Sequence, residues 1–494
     1  MSEPSLYPQR LFRRRRAGIL LHPTSLPGPP EQGDLGPCAH DFVDFLARAG
    51  FGVWQTLPLG PVGRDRSPYQ TCSLLAGDPR LVSPELLVRD GLLRPVDVNE
   101  ASDRHQLLRR AFAHFQSGRF PALAGELDAF REREADWLDD FTLFMAIRQA
   151  RGGEPWVRWP AELRDRRRSA LRRAAARLEE GVRRQAFAQC LFFRQWHALV
   201  EHARDRDIQL FGDLPIYPAH DSADVWASQN LFDLDAGGEP RMVAGVPPDA
   251  FTDSGQLWGN PVYDWDVMAS RRFAWWLRRL RIESQRFALL RIDHFRGLES
   301  FWAIPAGAST AARGSWRPAR GREMLRAAAR ELDGLNLVAE DLGVITPAVV
   351  HLREDFCLPG MRVLQFAFDG RADNPHLPQN HVPEAVVYTG THDNDTTVGW
   401  WESLTPQDRQ RVEAELGGRA SPAGLVDVAL ESVARLAVLP MQDCLGLGSA
   451  ARMNTPGTVE GNWRWRMQGG AASDALADSL RERLTRARRS PEAL

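Results

Sequence analysis

Eight short apolar runs rich in β-forming residues alternate with stretches typical of helices, and this alternation limits the possible folds more than any other feature. The runs cover residues 17–23, 52–58, 208–215, 287–294, 335–341, 361–368, 385–393 and 436–443. Continuous apolar runs are typical of parallel strands that are covered on both faces. The count predicts an α/β fold, a (β/α)₈ TIM barrel, with an open doubly wound sheet as the alternative.

Two segments interrupt the alternation. Residues from about 84 to 200 have long helical periodicity, which predicts a mainly helical insertion. Residues 245–266 are rich in Gly, Pro and aromatic side chains, and this composition predicts a loop built over the C-terminal face of the barrel. We therefore expect a single catalytic barrel domain at 17–494, preceded by a basic tail at 1–16 that is solvated or, alternatively, a nucleic-acid arm.

Composition excludes several classes of protein. The formal net charge is −2, from 62 basic and 64 acidic residues, which argues against a nucleic-acid or membrane-surface binder. The chain contains no lysine, so a Schiff-base lysine, a pyridoxal phosphate anchor and a Walker A lysine are excluded. Five scattered cysteines predict reduced thiols and a cytoplasmic location, and the absence of a long apolar run predicts no membrane span.

The run at 287–294 ends in charged side chains. Because side chains alternate along a strand, Arg291 and Asp293 point to the same face. A neighbouring cation lowers the pKa of a carboxyl, so we expect Asp293 to be ionised and able to act as a nucleophile. Taken alone, the pair is equally well explained as a structural ion pair.

Two further runs also end in carboxylates. Glu340 and Asp341 follow one strand, and the stretch His392-Asp393-Asn394-Asp395 follows another. The C-terminal ends of barrel strands meet at one mouth, so these groups can converge with Asp293. Retaining glycoside chemistry needs such a set, with one carboxylate as nucleophile and another as acid/base. A divalent metal site at the His-Asp cluster is the competing interpretation.

Aromatic side chains in two loops fit the same chemistry. Phe251 and Trp258 lie in the Gly/Pro-rich segment, where core packing does not explain them, and sugar rings stack their C–H faces on aromatic planes. A second loop of this kind, at 454–466, contains Asn454, whose amide can bind sugar hydroxyls or cap a turn.

Ten motifs in order resemble a known family. They are "LLHPTSLPG", "WQTLPLGP", "SPYQ", "FGDLPIYPAHDSADVW", "GVPPDAFTDSGQLWGNP", "RIDHFRG", "AEDLGVITP", "LPGMRVLQFAF", "YTGTHDNDTTVGW" and "ARMNTPG" with "GNWRWR". From about residue 18 to 466 the chain is similar to the bacterial amylomaltases, the 4-α-glucanotransferases of glycoside hydrolase family 77. The resemblance implies α-1,4-glucans and maltooligosaccharides as donors and acceptors, no cofactor, no metal, and a monomer or weak homo-oligomer.

The resemblance also implies roles for three carboxylates. Asp293 matches the nucleophile that forms a covalent glucosyl-enzyme, Glu340 matches the general acid/base, and Asp393 matches the aspartate that stabilises the transition state. This division of work requires a raised pKa on Glu340 and a depressed pKa on Asp293.

The remaining matches are substrate-binding positions. These residues are Ser67, Tyr69, Asp213, Asp249, Phe251, Trp258, Arg291, His294, Phe366, His392 and Asn454. Relatives often carry an aromatic residue shortly before the Ser-Pro-Tyr motif, where this chain has Arg64, Asp65 and Arg66. In relatives that aromatic residue helps to form a second glucan-binding site, so this departure leaves open whether the chain has such a site.

The predicted activity is therefore glucan transfer by a retaining double displacement, with ring closure as a side reaction. An α-amylase-like hydrolase is the main alternative, since it would use the same carboxylates. A non-catalytic glucan-binding protein and a metal-dependent hydrolase are the other classes, and the second would lose activity in EDTA.

Overall fold

Twelve strands run through the part of the chain that the computed structural model describes, residues 3–7, 11–28, 32–63, 65–101, 103–248, 254–458 and 460–490. The strands are β1 (Arg16–Leu20), β2 (Val53–Gln55), β3 (Gln209–Leu214), β4 (Met242–Val246), β5 (Gln256–Pro261), β6 (Leu289–Ile292), β7 (Ser300–Pro305), β8 (Ser315–Pro318), β9 (Leu337–Ala339), β10 (Gly360–Val363), β11 (Ala385–Tyr388) and β12 (Leu436–Pro440). Eight of them form one parallel sheet in the order β10-β11-β12-β1-β2-β3-β6-β9. Each overlaps one of the eight predicted runs, and the predicted barrel is confirmed.

The two ends of this sheet meet at a seam between β9 and β10. The Ala339 N–H donates to the Pro359 carbonyl at 2.8 Å, and the Met361 N–H donates to the Asp341 carboxylate at 2.6 Å. A Cβ at Gly360 would lie 2.3 Å from an Asp341 oxygen, so only glycine allows this approach. The Asp341 side chain therefore helps to close the barrel between β9 and β10, where the two strands form no regular ladder.

The interior of the barrel is a buried cluster to which all eight strands contribute. Its members include Leu20, Val53, Phe211, Leu289, Val338, Met361, Val386 and Val438. These residues alternate with side chains that pack outward against the helices, as the period of a strand requires. The apolar runs read from the sequence thus pack on both faces.

Nineteen α-helices surround the barrel or extend from it, counted over the described ranges. They are α1 (Pro37–Ala49), α2 (Pro84–Arg89), α3 (Pro95–Glu100), α4 (Arg104–Phe115), α5 (Pro121–Arg133), α6 (Ala135–Ala150), α7 (Ala161–Arg164), α8 (Arg168–Arg177), α9 (Glu179–Arg204), α10 (Ala223–Ala227), α11 (Trp265–Ser270), α12 (Ala274–Arg286), α13 (Gly321–Glu331), α14 (Pro347–Asp355), α15 (Thr397–Ser403), α16 (Pro406–Leu416), α17 (Pro422–Glu431), α18 (Met441–Cys444) and α19 (Asp474–Arg486). Helices α2 to α9 all lie between β2 and β3. None of the described helices is long and apolar enough to cross a membrane.

Helix α1 illustrates how the sequence sets these elements. Pro37 occupies the first turn, where its missing N–H costs nothing, and Gly50 ends the helix with φ 85°. Its buried face includes Phe42, Val43 and Leu46, spaced for contact with the barrel.

Four strands form a second, antiparallel sheet in the order β5-β4-β7-β8. The segment 245–266, predicted as a loop, contains the end of β4 and all of β5, while residues 249–253 lie outside the described part of the chain. Alternating side chains in β5 leave Trp258 half-buried. Whether this segment covers substrate stays a prediction.

The C-terminal segment after α19 packs at the N-terminal end of the barrel strands. Arg489 is buried and donates to the carbonyls of Leu430, Arg16, Ser432 and Ala434. Burial holds the pKa of its guanidinium well below the ordinary value. One side chain thus joins the start of β1 to the segment that leads into β12.

Candidate active site

Arg291 bridges two carboxylates at the C-terminal ends of adjacent strands. Arg291 on β6 is the register partner of Asp213 on β3, so both side chains point to the same face. One guanidinium nitrogen of Arg291 contacts the two Asp213 oxygens at 2.8 and 2.6 Å, and another contacts Asp293 at 2.8 Å. Burial lowers the pKa of Arg291, yet the two aspartates outweigh it and hold that pKa above its ordinary value.

The expected depressed pKa of Asp293 is wrong. Burial raises the pKa of Asp293 from 3.8 to about 8; Arg291 lowers it, while Asp213, Glu340 and Asp393 raise it further. The sequence expectation assigned the whole charge of Arg291 to Asp293, but Asp213 neutralises much of that charge. The Asp293 side chain is 27% exposed, so its oxygens are open to a ligand.

Glu340 lies beside this pair, directly after β9. Its own N–H donates to the Ile292 carbonyl at 3.1 Å, which keeps it level with the end of β6. Its carboxylate accepts the N–H groups of His294 at 2.6 Å and Leu342 at 3.0 Å. Burial raises the pKa of Glu340 as predicted, while Arg291 and the two backbone donors lower it.

Asp393 approaches from the opposite side, after β11. Its carboxylate accepts the Asn454 amide at 2.6 Å and lies 3.4 Å from His392 Nε2. Arg452 donates to the backbone carbonyls of Asp393 and Asn454, both at 2.7 Å. Sequence reasoning missed Arg452, although it lies within the quoted "ARMNTPG" motif, because its contacts go to backbone atoms of a distant loop.

Tyr69 connects the two halves of the site. Its hydroxyl donates to Asp213 at 2.7 Å and lies 2.9 Å from His392 Nε2. The Tyr69 ring stacks on His392 with centroids 5.4 Å apart, and Trp463 lies 6.0 Å away at a tilted angle. These contacts form an aromatic wall beside the carboxylates.

Two histidines in the site are neutral at neutral pH. Burial lowers the pKa of His294 to about 3 and also lowers that of His392. His294 adopts φ 51°, in the left-handed region, and its ring meets the Trp258 ring edge-on at 4.8 Å. A neutral imidazole has one donor and one acceptor, which suits a sugar hydroxyl.

The other predicted positions are less closely joined to this centre. Ser67 accepts the Tyr69 N–H at 3.3 Å and so shapes the turn that carries Tyr69. The Phe366 ring packs on His376 at 5.8 Å, and in the described ranges no ring contact or hydrogen bond joins its side chain to the site. Asp249 and Phe251, like Arg64, lie outside the described residues.

Two carboxylates near the centre serve the fold. Asp341 closes the barrel seam, and Arg353 contacts it at 3.3 Å. Asp395 accepts the Thr396 N–H and the Ser449 hydroxyl, both at 2.7 Å. These partners distinguish Asp395 from neighbouring Asp393, whose carboxylate accepts the Asn454 amide. Across the described ranges, no three His, Cys, Asp or Glu side chains gather as metal ligands would.

The geometry brings two carboxyl groups with raised pKa values next to each other, with a third opposite. Such a pair holds one proton over a range of pH, so one member can donate while the other attacks. Neutral histidines and aromatic rings line the same cleft, which suits a ligand with many hydroxyls and apolar C–H faces.

Comparisons with known proteins agree with this chemistry. A family model described as 4-alpha-glucanotransferase, glycoside hydrolase family 77, matches residues 21–473. The chain is 48% identical to a 4-alpha-glucanotransferase of Synechocystis over 490 residues, covering 95% of this chain and 97% of that protein. It is also 48% identical to a 4-alpha-glucanotransferase of Thermus thermophilus over 487 residues, 94% of this chain and 97% of that one.

A solved structure gives the same result. The amylomaltase from Streptococcus agalactiae in complex with acarbose superimposes with a TM-score of 0.92 at 34% identity. The match covers 97% of this chain and all of the other.

Proposed function

Since this chain belongs to the 4-alpha-glucanotransferases of glycoside hydrolase family 77, we propose that Asp293, Glu340 and Asp393 carry out its reaction. The enzyme transfers segments of α-1,4-glucan from a donor to an acceptor. The assignment of roles to residues is our proposal, and it rests chiefly on one observation. Arg291 fixes Asp293 by a 2.8 Å contact at the end of β6, one strand away from Glu340.

The first half of the reaction forms a covalent intermediate. Glu340 gives its proton to the glycosidic oxygen while an Asp293 oxygen attacks the anomeric carbon. The bond from that carbon to the leaving oxygen breaks, and the shortened glucan departs with the proton. Burial raises the pKa of Glu340, and this shift favours the protonated form that the role of general acid needs.

The second half reverses these steps on a new partner. The 4-hydroxyl of an acceptor glucan loses its proton to Glu340 and attacks the anomeric carbon, which releases Asp293. A donor long enough to return its own 4-hydroxyl to the intermediate would close a ring. Cyclic products are therefore part of the proposal for long substrates.

Asp393 stabilises the charge that develops on the sugar. Its carboxylate is 46% exposed toward the cleft, and Asn454 and Arg452 hold its side chain and backbone. A fixed negative group near a developing positive charge lowers the barrier without reorganisation. We assign hydroxyl binding to His294 and His392 because both are neutral.

Transfer requires the acceptor to react faster than water. Precise placement of an acceptor can provide an effective concentration of about 10⁵ M or more. Tyr69, Trp258 and Trp463 are our candidates for that placement, since their rings lie around the carboxylates. Maltotriose should therefore give glucose together with a ladder of longer chains, and shorter products alone would contradict efficient transfer.

Trapping the intermediate tests the roles of the two carboxylates. α-Maltosyl fluoride needs no acid to release fluoride, so Glu340→Gln should still form the Asp293 ester while lacking a base to resolve it. We expect an increase equal to one maltosyl group in the intact mass, located on the Asp293 peptide. Asp293→Asn should gain no mass. An adduct on any other residue would remove Asp293 as the nucleophile.

We also propose a cytoplasmic enzyme that is a monomer or weak homo-oligomer. All five cysteines are free, including exposed Cys357, which is typical of a reducing compartment. Light scattering at several protein concentrations would measure the oligomeric state.

A further inference from the structure

A cleft of about 920 Å³ lies between the helical segment and the loop that follows β2. Its walls come from α4, α6, α9 and residues 61–80 of that loop. Five arginines line it, Arg66, Arg80, Arg109, Arg148 and Arg184, and we call it the arginine cleft. We propose that the arginine cleft binds a phosphate monoester carried by a carbohydrate. The proposal goes beyond glucan transfer and does not depend on the roles assigned to the catalytic carboxylates.

The charge in the cleft is strongly one-sided. Among its described lining residues Asp78 is the one carboxylate, and Arg80 contacts it at 2.8 Å. Arg66 and Arg109 form no ion pair with any carboxylate in the described ranges. The whole chain has a net charge of only −2, so this concentration of positive charge is local. A concave surface with one sign of charge attracts ligands of the opposite sign.

Two of the guanidinium groups are held in place before any ligand arrives. Arg148 contacts Asp221 at 2.7 Å and Cys72 Sγ at 2.9 Å, and its side chain is 25% exposed. Arg184 donates to the Gln149 amide oxygen at 2.7 Å, which leaves its charge uncompensated because the partner is neutral. A planar guanidinium group can bind two phosphate oxygens at once. A phosphate monoester has three free oxygens and a carboxylate has two, so several guanidinium groups can share a phosphate more easily.

The rest of the lining suits a carbon skeleton. Leu108, Phe141, Met145 and Ala188 come from three helices and form the apolar part of the lining, of which Met145 is partly exposed and the other three are largely buried. The C–H face of a sugar ring can pack there while its phosphate ester meets the guanidinium groups. The volume is in the range of small-molecule sites.

The arginine cleft continues toward the active site. A neighbouring cavity shares Val62, Arg66 and Asp78 with it and extends to Trp463. Trp463 lies 6.0 Å from Tyr69 in the active-site wall. The arginine cleft therefore lies near the aromatic wall of the active site, and this proximity is the reason we propose that the phosphate ester is carried by a carbohydrate.

Binding to the intact enzyme tests the proposal. The probes are maltohexaose carrying one 6-phosphate, glucose 6-phosphate, inorganic phosphate and neutral maltohexaose, measured by titration calorimetry at low salt. The variant Arg109→Gln with Arg184→Gln removes two charges from the cleft. The matched control is Arg172→Gln with Arg177→Gln, which removes two charges from exposed positions of α8 outside the cleft.

We expect the cleft variant to weaken binding of a phosphorylated probe by about tenfold or more, since charge-assisted hydrogen bonds are among the strongest polar contacts. The control variant and neutral maltohexaose should show no such change, and disproportionation of maltotriose should be the same in all three proteins. Tight binding that needs the glucan chain would identify a phosphorylated glucan as the ligand, and equal binding of glucose 6-phosphate would identify a small sugar phosphate.

Three results would overturn the proposal. Inorganic phosphate could bind as tightly as either ester, the cleft variant could weaken binding of neutral maltohexaose as much as that of its phosphorylated form, or both double variants could lose affinity for the phosphorylated probes equally. Because maltotriose disproportionation is measured separately, none of these results would bear on the catalytic assignment.

Discussion

Arg291 divides one positive charge between two carboxylates, Asp213 and Asp293, so neither of them receives the whole of it. Asp213 receives two contacts from a single nitrogen of Arg291, whereas Asp293 receives one from the other. Tyr69 also donates to Asp213. The nucleophile therefore sits beside a cation that is already partly neutralised, so burial dominates its pKa.

The pH dependence of transfer should reflect this arrangement. The active form has Asp293 ionised and Glu340 protonated, and burial raises the pKa of both groups, that of Asp293 to about 8. The acidic limb of kcat/KM, where Asp293 takes up a proton, should lie above the ordinary carboxyl range of about 4. Asp213→Asn removes a negative charge that raises the pKa of Asp293, so that limb should move to lower pH. A limb that stays in place would show that Asp213 does not tune the nucleophile.

The pH dependence of folding stability should also reflect the ionisation of Asp293. The pKa of Asp293 rises from 3.8 to about 8 on folding, so between these values the folded protein binds more protons than the unfolded chain. Its contribution therefore lowers stability as pH rises through that window. Asn cannot ionise, so Asp293→Asn should match the parent melting temperature near pH 4 and exceed it increasingly toward pH 8.

The control for this experiment is Asp373→Asn, an exposed aspartate remote from the site. Its melting temperature should follow that of the parent at every pH. A constant difference between Asp293→Asn and the parent would contradict the linkage.

At the scale of elements, the weakest point of the barrel is the seam between β9 and β10, where Asp341 replaces part of the ladder. Asp341→Ala leaves the Met361 N–H without its acceptor and removes the buried carboxylate partner of Arg353, which keeps the Leu358 carbonyl and Glu354. Losing one member of a buried charged pair costs about 3–5 kcal/mol. We expect a loss of that order in the free energy of unfolding, measured with urea.

Glu354→Ala is the matched control, because Glu354 contacts the same Arg353 at 3.2 Å but is 58% exposed. An exposed ion pair contributes about 0–1 kcal/mol. Equal losses in the two variants would show that the seam does not depend on Asp341.

The elements also show how far the sequence could predict the fold and the site. All eight barrel strands were predictable because each is a continuous apolar run, and Asp293, Glu340 and Asp393 were predictable because they follow such runs. The antiparallel sheet was missed, since β8 is exposed along its whole length and β4 pairs with β7, which lies more than fifty positions later in the chain. The pKa of Asp293 was mispredicted because its burial depends on the fold, and because Asp213, which shares Arg291, lies 78 positions before that arginine.

At the scale of the whole molecule, Arg489 ties the C-terminal segment to the barrel. Arg489→Met removes the hydrogen bonds that Arg489 donates to the Arg16 and Ala434 carbonyls, while Arg15 still donates to the Leu430 and Ser432 carbonyls. A buried carbonyl left without a donor costs about 1–3 kcal/mol. We expect a clear loss of thermal stability by calorimetry, with the catalytic pH profile of the folded enzyme unchanged.

Arg488→Met is its control, because Arg488 is the exposed neighbour on the same turn. It should melt close to the parent temperature. If Arg489→Met and Arg488→Met have the same melting temperature, the C-terminal segment is not part of the cooperative folding unit.

The pairing of β1 with β12 has a consequence for how a cell makes this protein. Leu20 is the register partner of Pro440, which a ribosome adds 420 positions later. At about 5–20 residues per second, β1 waits about 20–80 s with one edge unpaired. An open strand edge is a template for wrong pairing, and the nascent chain is therefore a client for chaperones that bind during translation.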